Sequence, residues 1–336
     1  VYCLVNGIFF DKEVDMAIQE IKAATMDTRE FVAKKIQEIS QAVEEGDAIN
    51  ALSGGVDSSC VTMLGHKALG NRLKTYFINN GIMRENEPET IISIFKTLGV
   101  PVEVIDAQDV FFDALKGITD PEEKREAITQ TFYKEVFAEL VKKSNSRYLL
   151  QGTILTDVDE TVAGIKRQHN VFEQLGIDPQ KAFGYKIIEP LVQLRKDGVR
   201  KVAEAVGLPE TIYNRMPFPG PALSARVIGE ATREKIGIVK RATVITEEML
   251  QGVKAFQYMA ILHQDRVTGI CNGKREFGMQ VEIRCWDSID ARNATFTRLP
   301  YDILEKLAGR IVTEVPGVVS VTYNITTKPP STMEAV

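Results

Sequence analysis

The sequence predicts an α/β protein, a doubly wound parallel sheet followed by a smaller α+β module. Three observations predict it. Over residues 28–153, amphipathic helical stretches alternate with short apolar runs, as in a parallel sheet covered on both faces. A Pro/Gly cluster, MPFPGPAL at 216–223, then punctuates the chain. Beyond it, period-two alternation appears between helical stretches. The length, 336 residues, suits two domains of about 150 residues each. The expected division is an N-terminal extension at 1–26, a first domain at 27–228 and a second at 229–336.

Each element has its own warrant. Residues 28–45 put Phe31, Val32, Ile36, Ile39 and Val43 on one stripe, with Asp27 or Thr28 as the cap. AINAL (48–52) is a buried strand, followed by a Gly-rich turn and a helix, SSCVTMLGHKALG, closed by Gly70. KTYFIN (74–79) and PVEVID (101–106) are strands on either side of a helix at 87–98. A long helical stretch covers 121–144, and RYLLQGT (147–153) is a fourth strand. Residues 154–186 show no period and are expected to form a long functional loop. A helix at 195–206 leads into the Pro/Gly cluster. In the second module, 231–250 and 301–315 are helical, and 258–263, 266–271, 277–286 and 318–325 are strand-like.

Composition removes several function classes. Lys plus Arg is 41 and Asp plus Glu is 46, a net charge of −5, so the global basicity of a nucleic-acid-wrapping protein is missing. Apolar residues make up 44%, ample for a large core and incompatible with a disordered chain. No charge-free apolar run approaches the roughly 20 residues that span a bilayer. VYCLVNGIFF at the start lacks a basic leader and a small-residue cleavage site, so no signal peptide is expected. Cys3, Cys60, Cys271 and Cys285 form no CxxC pair, and His66, His169 and His263 have no metal-ligand spacing. A reducing, cytoplasmic setting is the expectation, with neither a membrane nor a nucleic acid as partner.

The chemistry concentrates at Ser53-Gly54-Gly55-Val56-Asp57-Ser58-Ser59, between a strand and a helix. Two glycines let the backbone approach a ligand closely. Successive N–H groups, the Ser53 and Ser58 hydroxyls and the helix N-terminus make an anion cradle. The loop lacks the GK[ST] ending of a Walker loop. A carboxylate, Asp57, inside a phosphate nest requires a cation between them, and Mg2+ suits carboxylate and phosphate oxygens. A plain Gly/Ser turn capping a helix is the alternative reading of the same residues.

SGGVDSS resembles the pyrophosphate loop of the ATP-pyrophosphatase superfamily, whose members cleave ATP between the α and β phosphates and adenylylate an acceptor oxygen. FINNGIMRENE (77–87), GITDPEEKR (117–125), QGTI (151–154), HNV (169–171), EPL (189–191), PFPGPAL (217–223) and KPPSTMEA (328–335) narrow the resemblance to the GMP synthetases. These matches lie in order along the chain. They resemble the ATP-pyrophosphatase and dimerisation part of that family, without the glutamine amidotransferase part. The implied fold is an adenine nucleotide alpha hydrolase-like domain followed by a dimerisation domain.

The resemblance implies a reaction. The C2 oxygen of XMP attacks the α-phosphorus of ATP, pyrophosphate leaves, and ammonia then displaces AMP to give GMP. It further implies that Ser53, Gly54, Gly55, Val56, Asp57, Ser58 and Ser59 hold pyrophosphate and Mg2+, with Asp57 as the metal ligand. Ile78, Arg84, Gln151, Gly152 and Thr153 would flank the nucleotide. Asp157 and Glu160 would stand near the reacting centre, binding metal or guiding ammonia. Lys166 and His169 match a mobile lid that brings charge to the phosphates. Arg226, Lys328, Thr332 and Glu334 would form the XMP site, with Arg226 and Lys328 suited to its phosphate and Glu334 to the base edge. The implied partners are XMP, an ammonia-donating amidotransferase subunit and a second copy of the chain, paired through the C-terminal domain.

Several positions depart from the family pattern. Asn79 stands where the family has aspartate, and the lid reads KRQHNV where KSHHNV is usual. Ala222 replaces a glycine in PGPAL, FEQLGIDPQKAFGY lengthens the lid, DARNA (290–294) differs from the family's usual run, and the chain closes Ala335-Val336 without a second glutamate. These changes fall at the lid and acceptor side, so two competing readings stand beside the synthetase. One is a paralogue that adenylylates another acceptor; the other is a nucleotide-binding relative without turnover. A tRNA-thiolating enzyme would want paired cysteines and a basic surface, and the sequence has neither.

Overall fold

The computed structural model describes residues 18–144, 146–162, 186–271, 273–289 and 291–335. Its first sheet has five parallel strands: β1 (Ala48–Ala51), β2 (Leu73–Asn79), β3 (Val102–Asp106), β4 (Tyr148–Leu150) and β5 (Lys186–Ile188). Their order is β3-β2-β1-β4-β5. The chain reverses its direction of travel across the sheet after β3, so β1 and β4 flank the switch point. Ligands of open α/β sheets sit there, beyond the carboxyl ends of the strands. The residues that follow β1 and β4 are the cradle 53–59 and Gln151-Gly152-Thr153.

The helices of this part are α1 (Thr28–Val43), α2 (Val56–Leu69), α3 (Glu87–Thr97), α4 (Gln108–Leu115), α5 (Pro121–Gln130), α6 (Ala138–Ser144), α7 (Leu155–Val162), α8 (Lys196–Ala205) and the single turn α9 (Glu210–Tyr213). Asp27 caps α1 by accepting from the Arg29 and Glu30 amides, and Asp120 caps α5, which opens on Pro121. Beneath the cradle, buried Asn50 of β1 donates to Thr62 of α2 at 2.6 Å and accepts from Thr75 of β2 at 2.8 Å. This closed polar bridge ties three elements together without an unpaired group.

The second sheet is built on a hairpin of two 15-residue strands, β6 (Gln257–Cys271) and β7 (Lys274–Ser288). β8 (Ala294–Phe296) pairs antiparallel with β7, and β9 (Val318–Tyr323) pairs parallel with it. Helices α10 (Arg233–Met249) and α11 (Tyr301–Glu314) accompany the sheet. Ile78, Ile82 and Phe111 from the first sheet region share one core with Leu223, Val239, Leu262, Val281 and Ile311. The main chain is pinned across the same join, Leu223 N–H to Ile82 O and Ile228 N–H to Leu262 O, both at 2.9 Å.

Several local expectations change. The segment expected to be irregular from 154 begins instead as α7, because the Asp157 carboxylate accepts the Ile154 amide at 3.0 Å and closes the helix start. The long helix at 121–144 is interrupted by a π-helical segment, Thr131–Phe137. The strands expected at 258–263 and 266–271 are one strand, with a register shift between Leu262 and Arg266. Helix α4 and strand β5 were not expected from the sequence pattern.

Candidate active site

The cradle forms as its residue types require. Gly54 takes φ +78°, and an added Cβ would meet Ile91 at 3.0 Å, so glycine is required twice over. Gly55 caps α2, which begins at Val56 with its first turn inside the loop. The Ser53 and Ser58 hydroxyls lie 2.9 Å apart, Ser58 Oγ accepts the Ser53 amide at 3.2 Å, and it donates to Gly55 O at 3.1 Å. Val56 and Ser59 turn into the protein and are buried. Beside this loop, a Cβ on Gly152 would lie 3.1 Å from Asp57 C and 3.2 Å from Ser58 N. The turns after β1 and β4 are therefore in direct contact.

Asp57 is divided between two situations. Its Oδ2 receives Lys196 Nζ at 2.7 Å, from the start of α8. Its Oδ1 is buried and has no hydrogen-bond partner, as is true of Gln151 Oε1 after β4. Buried unpaired acceptors are costly unless a ligand completes them. Among the described residues no group of three or more His, Cys, Asp or Glu is arranged to hold a metal alone. A single carboxylate oxygen within a phosphate cradle fits Mg2+ that takes its other ligands from phosphate and water.

A second cluster adjoins the cradle through Glu87. This buried carboxylate pairs with Arg215 at 2.6 Å and accepts the Arg84 amide at 3.1 Å, while Arg215 Nη1 reaches Gly54 O at 3.4 Å. Arg84 binds Glu247 of α10 at 2.8 Å and lies 3.9 Å from the Phe218 ring centre. Burial, with Arg215 close by, lowers the Arg84 guanidinium to about 10, which keeps it charged at neutral pH. Its Nη1 is buried without a partner. Arg226 lies 5.0 Å from the same ring and meets Glu334 with two hydrogen bonds of 3.3 Å. Glu334 also accepts from Gln257 at 3.0 Å.

The expected acceptor residues are thus partly united. Arg226 and Glu334 touch each other, so two of the expected acceptor residues meet at one point. Thr332 donates to Glu334 O at 2.7 Å, and Lys328 donates to Ala291 O at 2.7 Å. Ile78 is a buried core residue of β2. Thr153 donates to Glu189, and burial together with the charges of Asp157 and Glu189 pushes the Tyr133 phenol of the π-helical segment up to about 12. Glu160 lies on α7 with Asp157, and Lys166 and His169 lie outside the described residues.

The sequence pattern does not point to Lys196, Arg215, Glu247 or Gln257 as site residues. Each reaches the site from an element distant in sequence, whereas Glu87 closes the FINNGIMRENE match, three residues from Arg84. Phe218 sits within the PFPGPAL match and was within reach of sequence reasoning.

Residues 25–226 match the NAD synthase family and residues 245–335 match the GMP synthase C terminal domain family. A subunit of the glutamine-hydrolyzing GMP synthase of Pyrococcus horikoshii is 46% identical over 312 residues, covering 92% of this chain and 99% of that protein. The chain belongs to the GMP synthase family. The like-named subunit of Archaeoglobus fulgidus is 46% identical over 309 residues, covering 92% of this chain and 99% of that protein. The GMP synthase of Pyrobaculum aerophilum is 44% identical over 313 residues, 90% of this chain and 61% of that longer protein. In the terms of this family, the NAD synthase match ends at Arg226, and the C terminal match contains Glu247, Gln257 and Glu334. The second cluster therefore draws on both matched regions.

Proposed function

We propose that this chain is the ATP-pyrophosphatase subunit of a GMP synthase, a C–N ligase that aminates XMP at C2. The XMP C2 oxygen attacks the α-phosphorus of ATP, the bond to the β-phosphate bridge breaks, and pyrophosphate leaves. Ammonia then adds at C2 and AMP departs. One observation carries this reading: the contacts run unbroken from Gly54 through Arg215, Glu87, Arg84, Phe218 and Arg226 to Glu334. A phosphate cradle and a site of paired arginines and a carboxylate are thus held side by side, as a two-substrate transfer requires.

Catalysis in this reading is positioning and charge neutralisation, with no protein nucleophile. Ser53, Gly54, Gly55, Ser58 and the N-terminus of α2 donate to the leaving pyrophosphate, and Lys196 adds a positive charge beside them. Asp57 would hold Mg2+, which would neutralise the phosphate oxygens, and its unpartnered Oδ1 supports that role. Arg84, Gln151, Gly152 and Thr153 flank the nucleotide, and the Ile78 strand backs it. Asp157 and Glu160 border the reacting centre, and Lys166 and His169 bring lid charge to the phosphates. Arg226, Lys328, Thr332 and Glu334 take the acceptor, with Arg226 also touching Glu334.

The chain works with a separate amidotransferase subunit as its ammonia source, in the cytoplasm, as a homodimer through its C-terminal domain. Exposed Tyr301 and Val312 on α11 and Ile325 after β9 support that pairing. An isologous interface is expected. Purified chain with Mg2+, ATP and ammonium, with and without XMP, tests the activity. Pyrophosphate and GMP should appear in equal amounts and only with XMP; ATP cleavage indifferent to XMP refutes it.

A further inference from the structure

We propose that Arg284 is a positioning residue for the acceptor site, acting through the backbone of the C-terminal tail and held in turn by Glu282. The inference rests on the GMP synthase reading for its kinetic consequence, though its structural consequence stands alone.

Arg284 and Glu282 are two residues apart on β7 and so share a face of the sheet. Arg284 Nη1 lies 2.9 Å from Thr332 O, 3.3 Å from Met333 O and 3.4 Å from Glu334 O. Three successive carbonyls thus converge on one nitrogen, where a charged donor offsets the repulsion of their dipoles. The guanidinium is that donor, charged and planar, and its Nε is engaged separately with Glu282 Oε1 at 2.5 Å.

Glu282 is itself braced. His263 Nε2 stands 2.7 Å from Oε2, and Asn324 donates to Oε1 at 3.1 Å. Burial acts to raise the Glu282 carboxyl, and the hydrogen bonds from His263, Arg284 and Asn324 outweigh it, holding it at about 2. The brace is therefore an anion throughout the working pH range.

The tail is held by the bridge of Lys328 to Ala294, by this clamp and by two side-chain contacts near its end. The Met333 side chain is buried in a cluster with Met259, Ile261, Ala294 and Trp286. The Glu334 carboxylate reaches Arg226 and Gln257. A chain terminus frays unless tied down. The Met333 contact is apolar and non-directional, so it anchors the tail without aiming the next residue. The Arg284 bonds to the 332–334 carbonyls supply the direction. Arg284 makes no contact with the Glu334 carboxylate in this structure, so its influence on the acceptor passes through the backbone.

Trp286 is the single tryptophan of the sequence, so emission from the intact chain reports the packing of the cluster that holds Met333. The test uses Arg284→Met, Arg284→Lys and Glu282→Gln in the full chain, with kinetics in varied XMP and ATP. Arg284→Met should raise KM for XMP by about ten- to hundredfold, as expected for losing charged hydrogen bonds, and leave KM for ATP near the wild-type value. Tryptophan emission should move to longer wavelength, and amide exchange over 328–335 should speed up. Arg284→Lys should restore part of the loss, since one ammonium reaches the carbonyls but cannot also hold Glu282 in the same plane. Glu282→Gln, which keeps its shape, guards against misfolding and should show a smaller effect of the same kind. In a Glu334→Gln background, Arg284→Met should add little further to KM for XMP.

An unchanged emission and tail exchange in Arg284→Met overturns the clamp. So does a loss shared equally between ATP and XMP, or full additivity with Glu334→Gln. If the wild-type chain makes no GMP, emission and exchange still decide the clamp, so the failure of the enzymatic reading and the failure of this proposal are separate results.

Discussion

Replacing Gly152 by alanine adds one methyl group between the two turns that meet at the proposed nucleotide site. Its Cβ would lie 3.1 Å from Asp57 C, 3.2 Å from Ser58 N and 3.4 Å from Asp57 Cβ. Comfortable carbon contacts begin at about 3.5 Å, so the loops must separate by a few tenths of an ångström. The obstructing atoms are main chain of the cradle and cannot rotate aside. Overpacking of this kind costs about 1–3 kcal/mol. Part of that strain displaces the Ser58 amide and the Asp57 carboxylate, the groups that meet pyrophosphate in the proposed reaction. At about 1.4 kcal/mol per tenfold, kcat/KM for ATP should fall by about ten- to hundredfold, while KM for XMP holds. The assay is initial-rate pyrophosphate release at varied ATP with XMP and ammonium saturating. Gly237→Ala is the control, because its Cβ meets nothing within 4 Å on α10. That change should stabilise the protein by about 0.5–1 kcal/mol and leave the kinetics alone. A Gly152→Ala enzyme within about twofold of wild type in kcat/KM for ATP would refute the claim that this contact sets the cradle.

Three further outcomes are expected. Lys196→Met leaves both oxygens of Asp57 without a protein partner and should lower pyrophosphate release about tenfold, with little change in stability because Lys196 is half exposed; a denaturation midpoint beside initial rates checks both halves. Phe218→Leu removes the ring on which Arg84 and Arg226 lie and should weaken ATP through Arg84 and XMP through Arg226, each by about two- to fivefold, from one contact of about 0.5–1 kcal/mol apiece; isotherms for the two nucleotides check both, and an unchanged pair counts against it. Lys124, 1% exposed with Nζ 2.7 Å from Val227 O, has its ammonium lowered by burial, and secondarily by Lys235, from 10.5 to about 8. Below that value it is protonated folded and unfolded, so the cost of the buried charge is fully present. Between the folded value and the unfolded value the unfolded chain binds more protons, so stability must rise with pH, by at most about 3 kcal/mol. The wild-type urea midpoint should climb relative to Lys124→Met across that window, and a pH-independent difference would count against it.

Much of the architecture is legible because its signals are local. Asp27 and the stripe of Phe31, Ile39 and Val43 announce α1, and SGGVDSS announces the cradle from seven adjacent residues. What escapes the sequence has a physical reason in each case. Strand β5 is three residues with no buried member, too short for a period to show. Helix α7 reads LTDVDETV, whose helical start depends on a carboxylate reaching its own backbone, a contact that carries no hydrophobic rhythm. His263, Gln264 and Asp265 break the alternation of β6 where its register shifts, so one strand reads as two. The second cluster is the least legible. Arg84 meets Glu247 across 163 residues and Arg226 meets Glu334 across 108, and no spacing rule links such partners.

The shared core gives this long-range assembly its meaning. Ile82 is fully buried where the two parts of the chain meet, and its carbonyl holds the Leu223 amide at 2.9 Å. Arg84, two residues on, and Arg226, three residues beyond Leu223, are therefore fixed relative to each other by this packing and main-chain bond as well as by their shared contact with Phe218. A reaction that depends on placing one oxygen in line with one phosphorus is sensitive to this join, since a displacement of about 1 Å can cost about a hundredfold in rate. Ile82→Ala should lose about 2–5 kcal/mol of stability by leaving a cavity. The kinetic loss should fall on kcat, with KM for ATP and for XMP nearly unchanged, because each half-site keeps its own residues while their mutual placement loosens. Circular dichroism at the assay temperature gives the folded fraction. If kcat falls only in proportion to that fraction, the join is merely structural; a larger fall means that packing at Ile82 sets the distance over which the adenylyl group is transferred.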